Sequence, residues 1–117
     1  MSQPIIDQLS VHLPGGQNIR LGLSPDRPEL VKAYLDEADR LVYQSSRPVQ
    51  RQAHMLCYQL LLETICDSCV PVHWRRLCLD HIYRPLLALG RLAKSNHQRL
   101  AVRRCYREVS VLSHYFL

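Results

Sequence analysis

Between Val72 and Leu92 the apolar residues Trp74, Cys78, Ile82, Leu86 and Leu89 recur every three or four positions, with Leu77 and Leu79 widening the stripe. His73, Arg76, Asp80 and Arg84 recur at the same spacing on the opposite side. The pattern predicts one amphipathic helix, and the order Asp80 then Arg84 predicts an ion pair one turn apart on it. Pro71 suits a first-turn position, where a missing N–H costs nothing. Pro85 leaves the carbonyl of His81 without its helical partner, so a kink is expected there. The apolar period continues across it to Leu86, which favours one bent helix over two short ones.

Three further helices follow from the same reasoning. Leu30, Val31, Tyr34, Leu35, Ala38, Leu41 and Val42 define an amphipathic helix through about Gln44, with Ser24 or Asp26 as its cap and Pro28 near its first turn. Residues 49–69 carry apolar side chains on most sides, which predicts a central helix buried on more than one face. Ser95-Asn96 caps a last helix with Val102, Cys105, Tyr106, Val109, Leu112 and Phe116 inward. Arg99, Arg103 and Arg107 mark its outer side, with Arg104 beside them. Four helices with short links make an antiparallel bundle the economical architecture.

Residues 1–25 read differently. Leu9, Val11 and Leu13 alternate with polar residues, as do Ile19, Leu21 and Leu23, around the turn-forming Pro14-Gly15-Gly16-Gln17-Asn18. That is a β-hairpin pattern. A short helix over Pro4 to Leu13 fits equally well.

The length, 117 residues, suits one domain, and 47% apolar residues suit a packed one. No apolar run reaches the roughly 18 residues of a membrane span. The first residues show no basic and apolar leader, and five cysteines within helical patterns fit a reduced, cytoplasmic setting better than a disulfide scaffold. The net charge of +5 is unevenly distributed. Residues 26–46 hold five acids against three bases, whereas residues 71–94 hold five bases against Asp80 alone. Residues 95–117 add four arginines against Glu108. Such polarity suits an acidic partner, or simply an acidic helix lying beside basic ones.

Few groups suggest chemistry. Cys66 and Cys69 form a CxxC followed by His73, a set that could begin a zinc or iron site. A second CxxC and an HxxxH pair are both lacking, and a CxxC that closes a helix sits at the wrong end of the dipole for a thiolate. Cysteines acting as small core residues are the simpler reading. No residues are singled out as catalytic, since no nucleophile, base and orienting carboxylate stand in a recognisable order, and no cofactor is expected. Trp74, Arg75, Arg76, Asp80 and Arg84 have the composition of a protein-binding patch, although a core tryptophan flanked by solvated arginines explains them too. The arginines sit on long helices with few Asn, Gln or Ser among them, which disfavours base reading in nucleic acid. A protein partner is the expectation, and a homodimer stays open.

The stretch His73 to Leu86, above all His73-Trp74-Arg75, Leu77-Cys78-Leu79-Asp80 and Arg84-Pro85-Leu86, resembles the FagA family of small iron-associated bacterial proteins. Ser24 to Tyr34 is similar as well, and the likeness covers roughly Arg20 to Lys94. The resemblance implies a role in iron starvation, since genes of that family lie near a fumarase and a manganese superoxide dismutase. It implies no mechanism and assigns no site residue. Cys66 and Cys69 are not part of it. Together these readings describe a non-enzymatic helper that binds protein through a basic helical face, with a small metal-binding protein as the alternative and a non-specific nucleic-acid binder behind both.

Overall fold

The computed structural model describes residues 15–117, and these form five α-helices with no strand among them. In chain order they are α1 (Gly16–Leu21), α2 (Glu29–Val42), α3 (Arg47–Ile65), α4 (Val72–Leu92) and α5 (Asn96–Phe116). One apolar core draws on all five, with Ile19, Tyr34, Leu61, Trp74 and Val109 among its members.

The second arm of the expected hairpin, Ile19 to Leu23, is not extended. Gly16–Leu21 is helical, and Gly22, left-handed at φ 61°, closes it with the Leu23 amide bonded to the Asn18 carbonyl at 3.0 Å. Tertiary contact decides this segment: Ile19 is fully buried, and its carbonyl accepts the indole N–H of Trp74 at 2.9 Å. An extended arm would present that carbonyl to a neighbouring strand instead. The other arm, and the alternative helix over Pro4 to Leu13, lie outside the described residues.

The long helices sit close to where periodicity places them. At the start of α2, Pro28 occupies the capping position and no side chain caps the helix. Ser24, an expected cap, instead accepts a hydrogen bond from Asn18 Nδ2 at 3.1 Å. α3 stops four residues short of the expected end. Asp67 breaks it, because its Oδ1 accepts the Cys69 amide at 2.9 Å and its Oδ2 accepts Arg20 Nη1 at 2.8 Å. α4 spans Val72–Leu92 without interruption, and Pro85 is buried within it. Ser95 caps α5 as expected, its hydroxyl accepting the Gln98 amide at 3.1 Å.

Packing is uneven. Trp74 is 0% exposed at the centre of the core. Burial of an indole of that size stabilises by on the order of 4–6 kcal/mol, an upper figure because it assumes an extended unfolded chain. α5 is the contrast, since only Cys105 and Val109 of its 21 residues are buried. Polar anchors supplement it. The Tyr58 hydroxyl lies 2.6 Å from Glu108 Oε1, and Arg75 Nη1 donates to the Phe116 carbonyl at 3.2 Å.

Candidate functional site

The residues singled out around Trp74 divide between core and surface. Trp74 belongs to the core, as its burial and its bond to Ile19 show. Arg75 is also inside, only 9% exposed. Its Nε donates to the Val70 carbonyl at 3.0 Å, and its Nη1 donates to Ile65 at 3.4 Å and Phe116 at 3.2 Å. The Ile65 and Phe116 carbonyls close α3 and α5, where helical partners run out and the dipole is negative. Neither residue is available to a partner molecule. The sequence does carry a signal for this: Arg75 lies three, seven and eleven residues before Cys78, Ile82 and Leu86, on their own stripe.

Arg84 is half-buried and engaged within the molecule. Its Nη2 lies 2.7 Å from Asp36 Oδ1 and 2.5 Å from Asp39 Oδ2, both on α2. The expected pair with Asp80 does not form, because two carboxylates from the neighbouring helix outcompete one on the same helix. Hydrogen bonds from Lys32 first, and from Arg84 second, hold the Asp36 carboxyl below the usual carboxylate range. The acidic helix therefore lies against α4 and absorbs one of its bases. Asp80 and Arg76 are both exposed.

Most of what remains uncompensated lies on α4 and α5, although Arg47 and Arg51 of α3 and Lys94 of the next link also lack an acidic partner among the described residues. Arg76, Arg91, Arg99, Arg103, Arg104 and Arg107 are exposed and have no salt-bridge partner among the described residues. Described acids, by contrast, are nearly all engaged, with Asp26 and Asp80 the exceptions. Between the two helices Tyr83 stacks on Tyr106 with centroids 6.2 Å apart. Leu87, one turn after Tyr83, is 57% exposed. A shallow groove of about 540 Å³ lies between α4 and α5, lined by Leu79, Ser110, Val111, Ser113 and His114. Val111 was legible only indirectly, as an apolar residue sharing the outer side of α5 with Arg104 and Arg107.

The CxxC set does not converge. Cys66 follows α3 and is half-buried, Cys69 is exposed in the next turn, and the His73 ring Nε2 lies 3.0 Å from the Pro25 carbonyl. Burial pushes the Cys66 thiol up, away from thiolate character. Among the described residues no three His, Cys, Asp or Glu side chains group as a metal ion would require. Cys57 and Cys78 are buried, and burial pushes both thiols up to about 12.

A smaller cleft of about 380 Å³ lies between α2, α3 and α4, lined by Asp39, His54, Arg84, Leu87, Ala88 and Arg91. Burial lowers the His54 pKa, with Asp39, 3.9 Å from Nδ1, opposing. Asp39 pairs with Arg84 inside it, while Arg91 has no carboxylate partner among the described residues.

No helix among the described residues is long and apolar enough to cross a membrane. Comparison of the chain with family models, with curated proteins and with solved structures returns no match.

Proposed function

We propose that the protein acts by binding another protein through the exposed basic face of α4 and α5, as a non-enzymatic helper of the bacterial iron-limitation response in the cytoplasm. The observation that carries the binding mode is the run of exposed arginines without carboxylate partners, flanking Tyr83, Tyr106 and Leu87. Arginine and tyrosine beside exposed leucine match the make-up of interface anchors, and uncompensated charge favours an acidic partner. The iron context rests on the resemblance around His73 to Leu86 and Ser24 to Tyr34. Trp74, Cys78 and Leu86 within it are core residues, so that likeness speaks for a shared scaffold more than for a shared surface. We read the scaffold as an antiparallel bundle of the four long helices, because links of three to six residues leave little room for any other path.

The test is native mass spectrometry of protein purified from iron-starved cells without chelators, comparing wild type with Arg76→Glu/Arg103→Glu. Both positions are exposed, so the variant should fold. The expected result is a stoichiometric protein partner on the wild type that the variant loses. Equal capture by both would overturn the reading. A one-to-one zinc or iron adduct that Cys66→Ser/Cys69→Ser removes would transfer the function to the turn after α3.

A further inference from the structure

Charge alone does not choose a partner for the α4–α5 face, but its shape and apolar content do. The groove there is shallow, lined by the apolar Leu79 and Val111 together with Ser110, Ser113 and His114. At one end stands the Tyr83–Tyr106 stack. Arg76 comes three residues before Leu79 on α4, and Arg107 comes four before Val111 on α5, so bases border both sides. Arg99 and Arg103 extend the basic border beyond Tyr106. The groove's own lining on α5 runs from Ser110 to His114, and with Arg99 and Arg103 the helix offers a side of roughly 22 Å at 1.5 Å per residue, comparable with about fifteen residues of another helix.

We propose that this groove takes a short acidic amphipathic helix from another protein, its apolar stripe on Leu79 and Val111 and its carboxylates toward Arg76, Arg103 and Arg107. The proposal rests on the protein-binding reading above and names the kind of partner. A furrow between two packed helices accepts the ridge of a third, and apolar anchors at helical spacing are the usual way such grooves are read. The thin burial of α5, with only Cys105 and Val109 inside, leaves apolar surface on this helix for a third helix to cover. A second copy of the chain is a poor match, because its described acids are already bonded to its own bases or to Tyr58, with Asp26 and Asp80 excepted. A bare polyanion matches the arginines but leaves Leu79 and Val111 without a counterpart. The cleft around His54 is the weaker site, since Asp39 neutralises the base it shares with Asp36.

The test uses the full chain and three labelled probes in fluorescence anisotropy. One is an 18-residue helical peptide with leucines at i, i+4, i+7 and i+11 and glutamates flanking them. The second has the same composition with the leucines dispersed around the helix, and the third is a 20-nucleotide single strand. The striped peptide should bind at least about tenfold tighter than the dispersed one, and Val111→Asp should remove that margin. Arg103→Glu should weaken the striped peptide about fivefold or more, and added salt should shrink that difference, because it screens the wild-type attraction and the variant's repulsion together. Val111 is 57% exposed, so its replacement tests the groove rather than the fold, and an unchanged melting temperature verifies that. Equal binding of the two peptides, tighter binding of the nucleic acid, self-association in place of capture, or no binding at all each overturns the proposal. Retention of a cellular partner that is sensitive to Arg76 and Arg103 but indifferent to Val111→Asp would leave the protein-binding reading standing and remove this groove from it.

Discussion

Replacing Arg75 by methionine tests whether a buried guanidinium ties two helix ends and a turn together. Arg75 makes two well-formed bonds, to Val70 at 3.0 Å and Phe116 at 3.2 Å, and a longer one to Ile65 at 3.4 Å. A hydrogen bond from a charged donor contributes about 1.5–3 kcal/mol net, so the two good bonds supply roughly 3–6 kcal/mol. Desolvating the guanidinium offsets part of that, on the order of several kcal/mol for a buried ion. Methionine removes the desolvation cost and keeps similar bulk, yet it leaves the carbonyls facing an apolar group, each at about 1–3 kcal/mol where water cannot reach it. The net expectation is a loss of about 3 kcal/mol. In a chain of this size that corresponds to a fall of about 10–15 °C in melting temperature. Urea denaturation gives the same quantity as a lower midpoint at unchanged slope. Arg75→Lys should lose about half as much, since one ammonium cannot span carbonyls on separate segments. A methionine variant within about 0.5 kcal/mol of wild type would refute the reasoning. So would a variant of normal stability that fails to bind a partner, because it would return Arg75 to the surface.

Other outcomes follow from the same structure. Gly22→Ala should destabilise by about 1–3 kcal/mol in the same assay, because the position has φ 61° and a methyl there would lie 2.9 Å from Val70 Cγ1. A neutral thiol reagent should label exposed Cys69 within minutes, whereas buried Cys57 and Cys78 should react only on unfolding, as mass spectrometry of the labelled chain will show. Those two thiols titrate near 9 when unfolded and near 12 when folded, so their contribution is complete below pH 9 and lost as pH rises toward 12, visible as a falling alkaline melting temperature. At the acid end Asp36, Glu37 and Asp67 are held below their ordinary values, chiefly by hydrogen bonds from Lys32, Arg40 and Arg20. Their contribution is present above about pH 4–5 and lost as pH falls further, and Arg20→Gln should flatten that acid limb in a pH series of melting curves.

Periodicity reached the long helices because each is long enough for 3.6-residue repeats to dominate. α4 begins and ends where its apolar stripe does, and α5 starts at the serine whose hydroxyl caps it. The six residues of α1 are too few for that, and Ile19, Leu21 and Leu23 satisfy a two-residue period by coincidence. Tertiary burial of Ile19 beneath Trp74 decides the matter, and no local pattern encodes it. The end of α3 was hidden for a similar reason, since Asp67 bonds to the distant Arg20 as well as to the turn. At the site, sequence reasoning marked the right helix and misplaced its charges. Charge suggested that Arg75 and Arg84 belong to solvent. One instead serves helix-end carbonyls and the other a pair of aspartates from α2. Arg76 alone of the three arginines has no acidic partner among the described residues, and the groove around Val111 depends on how α4 and α5 pack side by side, which periodicity along either helix does not encode.

The slight hold on α5 has a kinetic meaning. A helix with two buried side chains, held otherwise by Tyr58 on Cys105 and Glu108, one arginine bond, the Tyr83–Tyr106 stack and a few half-buried apolar residues, can detach at a lower free energy than the whole chain needs to unfold. Its amides should then exchange with solvent deuterium together, ahead of those in α3 and α4. Opening of this kind exposes Val109 and Cys105 and dismantles the groove, so any molecule seated there binds only the closed form. Occupancy and closure would be linked, and slower deuterium uptake confined to residues 96–116 would report binding from a position that the ligand itself need not cover.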